Sequence, residues 1–494
     1  MIERWNRDQV LALAPDAPSQ KAAQGVSSPG KWSGIGATAD AVWGGCKGSG
    51  STPYRACVDL SEPAYRCSCP SRKFPCKHAL GLLLLWSAGG VPAAEEPADW
   101  VAEWLDQRRE RLATATTRAA ETAETPQAAG AAGAGPADTR RAEQREQRVA
   151  AGLSDLERWL ADQIRQGIAG SRRHDHWDEL SKRLIDAQAP AVAGALSRLS
   201  SVLNSEDWPA RLLSEYALLH LLCVAHRRLS AAAVATTDPA VAADSDAAPA
   251  TGPAVGADAA AAATTGSAAA AVTGSAAEAP GIREGASGTG LLPRVRERVG
   301  FPVTKEEVLA GETVRDLWDV LGRRDEEQDR LIARRVWLRG RHTGRAALVL
   351  SFAMAGQALD ASLVTGTTLD ADLAFYPGSA PLRALVAARH GTVSTGSPSG
   401  STVEQALDEV AAALAGDPWL DSWPVVLGPV TPAGSGSWHI AGPSGGIPLH
   451  PSTGTPWRLV AVSGGHPLTL AAEWTPRGLR PLTTWDEEGQ VIVL

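Results

Sequence analysis

The chain has 494 residues, 44% apolar and 21% charged, a globular composition too long for one ordinary core and suited to roughly two to four domains. Its formal net charge of −8 at pH 7 argues against a chain given over as a whole to nucleic acid, which shows a basic excess. The start carries acids and a tryptophan where a signal core would be apolar. The longest apolar run, Ala79 to Trp86, falls far short of the ~20 residues that cross a bilayer. The expectation is a cytoplasmic chain with reduced thiols and no membrane partner.

In chain order, the first folded region is residues 1–112. Tyr54, Ala56, Val58 and Leu60 alternate with Arg55, Cys57 and Asp59 as in a half-buried strand. Ser61 to Ala64 is turn chemistry, and Tyr65 to Cys67 returns as a second strand. An apolar helix starts near Lys77, and another spans Trp100 to Leu112. Residues 113–138 are Ala, Thr, Gly and Pro with few large apolar side chains, and are read as a linker.

Residues 139–230 read as a helical domain. Leu153, Leu156, Trp159, Leu160 and Ile164 recur at helical spacing, as do Leu180, Leu184 and Ile185, then Leu212, Leu213, Tyr216, Leu219 and Leu222. Ser154 to Glu157 has the pattern of a capping box. Residues 231–290 form a second, Ala-rich disordered linker by composition.

Residues 291–494 are read as α+β. A helix is expected around Glu306 to Leu321, then strands at Arg335 to Arg339, Ala346 to Phe352 and Ala371 to Tyr376. A helix at Val403 to Leu414 precedes a Trp- and Pro-rich part and closing strands at Leu468 to Glu473, Arg480 to Trp485 and Gln490 to Leu494. The fold class is thus multi-domain α+β: an N-terminal ββα knuckle, a central helical bundle and a C-terminal mixed α+β region, joined by Ala-rich disordered linkers.

Five of the six cysteines lie between Cys46 and Cys76, and in a reducing compartment such clustering points to metal. The string from Cys67 to His78 holds two pairs, Cys67-x-Cys69 and Cys76-x-His78. Three thiolates and one imidazole complete the tetrahedron of a zinc ion, with Zn–S near ~2.3 Å and no position left for water. A closed site of this kind is structural rather than catalytic. His78 falls in the first turn of the helix that begins near Lys77, so the metal stands between hairpin end and helix start.

This string, with its ββα setting, resembles the SWIM zinc finger, whose pattern is Cys-x-Cys, a variable spacer, then Cys-x-His. Trp43 to Gly50 and Pro53 to Leu60 extend the resemblance over Lys31 to Trp86. The resemblance implies zinc ligation by Cys67, Cys69, Cys76 and His78 and a role in DNA binding or protein contacts. Similar bacterial proteins are encoded near AAA+ ATPases and von Willebrand-type domain proteins, which implies a protein partner, an AAA+ ATPase system among the candidates. The helicase and transposase motifs that accompany some members are not seen.

Between Gly44 and Gly81 six basic residues face two acids. Lys47, Arg66, Arg72, Lys73 and Lys77 are the candidate contacts to a polyanion. Cys46 and Cys57 are read as buried thiols. Gly44 to Thr52 is no phosphate loop, because Ser51 stands where the lysine is needed. His220, Cys223 and His226 fall on an apolar helix and are read as packing, and His174 and His176 as exposed. Trp419, Trp423, Trp438, Trp457, Trp474 and Trp485 are read as a packed β-rich core. No Ser-His-Asp order, carboxylate pair or cofactor fingerprint stands out. The expected function is a non-enzymatic zinc-binding adaptor for a protein or nucleic-acid partner. A sequence-nonselective DNA-binding protein is the second reading, and an enzyme within 291–494 the third.

Overall fold

The computed structural model describes residues 4–48, 50, 52–61, 63–71, 73–124, 136–172, 177–237, 290–328, 331–354, 357, 359–393, 396–434 and 437–494. Much of both expected linkers, at 125–135 and 238–289, lies outside the described residues. The chain divides into two compact units, Met1–Arg141 with Pro302–Leu494, and Ala142–Phe301. Among the described residues no helix is long and apolar enough to cross a membrane.

The first unit opens with two short helices. Asn6 and Gln9 form a reciprocal capping box that starts α1 (Arg7–Ala12), and Asp16 caps α2 (Ala17–Gln24). Four strands follow, β1 (Trp32–Ala37), β2 (Ala41–Cys46), β3 (Tyr54–Asp59) and β4 (Ala64–Cys67), as an antiparallel meander in that order. The expected hairpin is its second half, with Ala56 opposite Cys67 and Asp59 opposite Ala64. Alternation sends Ala56 and Val58 to one core and Cys57 to another. The first core is filled by α3 (Lys77–Ser87), buried along nearly its whole length. The second is covered by Val101 and Leu105 of α4 (Asp99–Glu124), a helix that runs well past Leu112. A Cβ at Gly81 would lie 2.5 Å from Val26 Cγ2, so a glycine in mid-helix lets the chain after α2 lie against α3.

The second unit consists of α5 (Pro136–Gln166), α6 (Asp178–Asp186), α7 (Pro190–Val202), α8 (Trp208–Thr237) and α9 (Leu292–Val299), which packs on α7 and α8. Leu153, Leu156, Leu160, Leu180, Leu184, Leu212, Tyr216, Leu219 and Leu222 are buried as their spacing predicts. Ile164, Ile185 and Leu213 are exposed instead: Ile185 and Leu213 lie off the stripe their helices bury, and Ile164 is in the last turn of α5, beyond the last buried leucine, Leu160. Ser154 starts no helix. It lies inside α5, where the apolar series Val149, Leu153, Leu156 and Leu160 runs unbroken past it, so burial overrides the local capping pattern.

The chain then returns to the first unit. The helix expected over Glu306 to Leu321 ends early: α10 is Lys305–Leu309, and β5 (Thr313–Gln328) follows. The strand escapes a period-two reading because Asp316, a fully buried acid, occupies an inward position between Val314 and Trp318. It accepts hydrogen bonds from the Thr343 hydroxyl and from the amides of His342 and Thr343. With β6 (Leu331–Gly340), β7 (Ala346–Met354), β8 (Thr368–Phe375) and β9 (Arg383–Val393), β5 closes a barrel in the order β5-β6-β7-β9-β8 around Trp318, Leu338 and Leu373. Next come α11 (Val403–Gly416), β10 (Trp423–Gly434), β11 (Trp438–Gly442), β12 (Gly445–Pro448), α12 (Trp457–Ser463), β13 (Leu468–Thr475), β14 (Gly478–Trp485) and β15 (Val491–Val493). These six strands form an antiparallel sheet ordered β12-β11-β10-β13-β14-β15. One core joins the barrel's outer face, through Trp337 and Leu348, to Val425, Leu470 and Leu482 of this sheet. Trp419, Trp423 and Trp485 are buried and Trp438 and Trp474 pack against the core, but Trp457 is 70% exposed and belongs to no core.

The two ends of the chain meet inside this unit. Asn6 Nδ2 donates to Val491 O at 2.8 Å, and Gln9 Nε2 to Thr365 O at 3.0 Å. Arg323 donates to Ala14 O, and Tyr65 Oη to Ala361 O.

Candidate metal centre

The local chain path dictates where the four candidate ligands fall. Cys67 ends β4, and Cys69 follows two residues on. Cys76 is the N-cap of α3, in extended conformation, and its sulfur accepts the amide of Ala79 at 3.5 Å. His78 sits in the first helical turn and is buried. The ligand atoms of Cys67, Cys69, Cys76 and His78 all lie within 4.8 Å of one another, and among the described residues this is the one group of three or more metal-ligating side chains so placed. A tetrahedron with ~2.3 Å Zn–S bonds has edges of about 3.8 Å. Cys67 Sγ and His78 Nδ1 stand 3.7 Å apart.

Contacts within the group move the three thiols in opposite directions. Hydrogen bonding from Cys67 holds the Cys76 thiol low, helped by His78 and the Ala79 amide against burial. The same contact with Cys76, and then burial, pushes Cys67 up, and burial raises Cys69. A dication stabilises all three as thiolates, so the donor set fits one zinc ion, held structurally with no open position.

Further residues complete the site that sequence reasoning did not single out. The Tyr54 ring stacks on His78 with centroids 4.8 Å apart. A Cβ on Gly48 would lie 2.6 Å from the Tyr54 ring, so the β2–β3 connection closes down on the tyrosine that orients the histidine. Asp59, at the far end of β3, pairs with Arg108 of α4 at 3.2 Å.

Cys46 and Cys57 are buried and stand outside the group; burial raises Cys46 and pushes Cys57 up to about 12. All six cysteines are free thiols. Cys223 and His226 are buried in α8 while His220 is exposed. His174 and His176 lie outside the described residues.

Among the described residues the candidate basic side chains stand in different surroundings. Arg66 is opposite Cys57 in the β3–β4 pairing, on the sheet face that α4 covers. Lys73 is engaged by Asp16 at 2.5 Å. Arg72 lies outside the described residues. Lys47 and Lys77 are exposed, and the amide of Lys47 donates to the carbonyl of Lys31, also exposed. Lys77 and Lys31 both act on the Cys46 thiol, lowering it against the larger effect of burial. Lys31, Lys47 and Lys77 are thus exposed on segments that adjoin Cys46 and Cys76, with the Lys31 ammonium donating to Gly25 O at 2.6 Å.

No curated protein and no solved structure matches the chain. Two family models do. Residues 57–86 match the SWIM zinc finger, and residues 144–242 match the SWIM-associated four-helix bundle domain. The first match contains all four ligands, and the second covers most of the helical unit from α5 through α8. The chain thus carries a SWIM zinc finger, closed around Cys67, Cys69, Cys76 and His78, followed by a SWIM-associated four-helix bundle domain.

Proposed function

We propose that the chain is a non-enzymatic cytoplasmic adaptor whose zinc-held N-terminal module presents a basic edge to an anionic surface of a protein partner. The observation that carries this reading is the exposure of Lys31, Lys47 and Lys77 on the segments that adjoin Cys46 and Cys76, beside a donor set that leaves zinc no open coordination position. Zinc fixes the start of α3, and with it Lys77. Neither matched family model describes an enzyme. Six free thiols suit a reducing compartment. An AAA+ ATPase system is the first partner to try, by family resemblance.

The same three lysines favour a second reading, sequence-nonselective DNA binding. The two differ in salt response. Neutralising three phosphates gives a slope of about −2.7 for log K against log salt, from roughly −0.9 per contact. Affinity purification of the full chain with and without nuclease, with zinc measured on the same sample, decides between them. Partners that survive nuclease and are lost on Lys31→Glu/Lys47→Glu/Lys77→Glu support the adaptor. Loss of every partner with nuclease supports nucleic acid. Partners that ignore the triple substitution refute the basic edge in both forms.

A further inference from the structure

The N-terminal module has a concave side next to its candidate zinc ligands. A cavity of about 440 Å³ opens between α2 and the loop that leads into α3, and Cys69 and His78 form part of its lining. Pro18, Ala22 and Tyr54 give it an apolar wall, and Lys73 and Lys77 line it as well. No aspartate or glutamate lines it. The wall is set in place by packing: the Tyr54 ring stacks on His78, and α2 lies against α3. The cations are not fixed in this way. Lys73 and Lys77 are exposed, each an ammonium on a flexible four-carbon stem long enough to turn over the cavity. Lys77 has no ion-pair partner among the described residues. Lys73 is engaged by Asp16 with 60% of its side chain exposed, and an exposed pair of that kind exchanges readily for an incoming carboxylate.

We infer, building on the adaptor reading, that the partner protein is held here: the cavity docks an acidic segment, with an Asp or Glu carboxylate on Lys77 and Lys73 and a neighbouring apolar side chain against Pro18, Ala22 and Tyr54. The volume falls within the ~300–1,000 Å³ of ligand sites and suits one apolar side chain with its charged neighbour. The fixed wall selects the apolar residue, and the lysines select the sign of the charge beside it. A nucleic-acid strand asks for a different surface, a line of cations along successive phosphates with bases stacked on free aromatic faces. Here two lysines share one concave apolar wall, and the Tyr54 ring is already stacked on His78.

The test pans a random heptapeptide library displayed on phage against the full zinc-loaded chain. The expected consensus places Asp or Glu beside a bulky apolar residue. The selected peptide, measured by fluorescence anisotropy, binds Lys77→Glu at least tenfold more weakly. Ala22→Trp fills the cavity from an exposed position of α2 and changes no charge, and it weakens the peptide by a similar factor. Lys31→Glu/Lys47→Glu, outside the lining, leaves it bound. Melting temperature and zinc content serve as fold controls; if a variant unfolds, Lys77→Gln and Ala22→Leu take their places. A selection with no acidic enrichment, or binding indifferent to Ala22→Trp, overturns the proposal. So does displacement of the peptide by a single-stranded oligonucleotide whose own binding ignores Ala22→Trp, which marks nucleic acid instead. Partners lost on Lys31→Glu/Lys47→Glu/Lys77→Glu yet kept by Ala22→Trp uphold the basic edge and overturn the cavity, whereas partners kept by the triple substitution refute the edge itself.

Discussion

Replacing Cys76 by Ser tests the metal centre with little confusion from helix capping. Cys76 is both a candidate ligand and the N-cap of α3, where its sulfur accepts the amide of Ala79. Serine is among the preferred N-caps, so the substitution keeps the cap and removes the thiolate. Structural zinc in finger peptides contributes roughly 10–16 kcal/mol, and a quarter of that for one of four ligands is about 2.5–4 kcal/mol, or about two to three orders of magnitude in zinc affinity. That is a large part of the ~5–15 kcal/mol that holds an ordinary domain together. The effect extends beyond the knuckle, because α3 is buried against α1 and α2 and α1 holds Val491 and Thr365 through Asn6 and Gln9. The expected outcome is substoichiometric zinc by mass spectrometry, weaker retention against a chromogenic chelator, and lost amide protection across Tyr54 to Trp86. A Cys76→Ser protein with full zinc content, wild-type retention and unchanged melting refutes the metal assignment.

Other outcomes follow from particular contacts. Asp316 feels burial, which raises its carboxyl, but the Thr343 hydroxyl, the amides of Thr343 and His342 and the His342 ring outweigh it and hold the group at about 2. Because the folded value lies below the unfolded one, this contribution is complete above about pH 4 and fades as the pH falls toward 2; acid unfolding followed by circular dichroism should show that dependence reduced in Asp316→Asn. Leu156→Ala empties a fully buried position in α5 and should cost about 2–5 kcal/mol in denaturant unfolding of the helical unit; a loss below about 1 kcal/mol contradicts its place in the core. Gln9→Ala removes a buried donor to Thr365 O and should destabilise the first unit by about 1–2 kcal/mol, read as faster exchange at residues of the barrel. Tyr54→Ala takes away the ring stacked on His78. It should loosen zinc retention without abolishing it, and unchanged retention argues that the histidine is held by the backbone alone.

The residues near the metal could be read from sequence because their chemistry is local. Cys67 to His78 spans one hairpin end and one helix start, and short-range geometry brings the four donors within 4.8 Å. The hairpin of β3 and β4, the helix after Cys76, the helical periodicity of 139–230 and several strands of the last region were legible for the same reason. Their patterns alternate or repeat over a few residues. Where one residue serves a tertiary purpose, the pattern misleads. Asp316 turns a strand into an apparent helix by placing an acid at an inward position, and Ser154 looks like a cap because its burial context is invisible. Only the tertiary structure assembles the first 141 residues with the last 193 into one unit. The bonds that join them run from Asn6 to Val491 and from Gln9 to Thr365, and no local pattern encodes a contact between residues hundreds of positions apart. The same holds for charge. Six basic residues are countable in the sequence around the finger, but whether they share a face depends on strand register and on what pairs with them. Of the six, Arg66 lies on the α4 face and Lys73 is bound to Asp16, while Lys47 and Lys77 stand exposed.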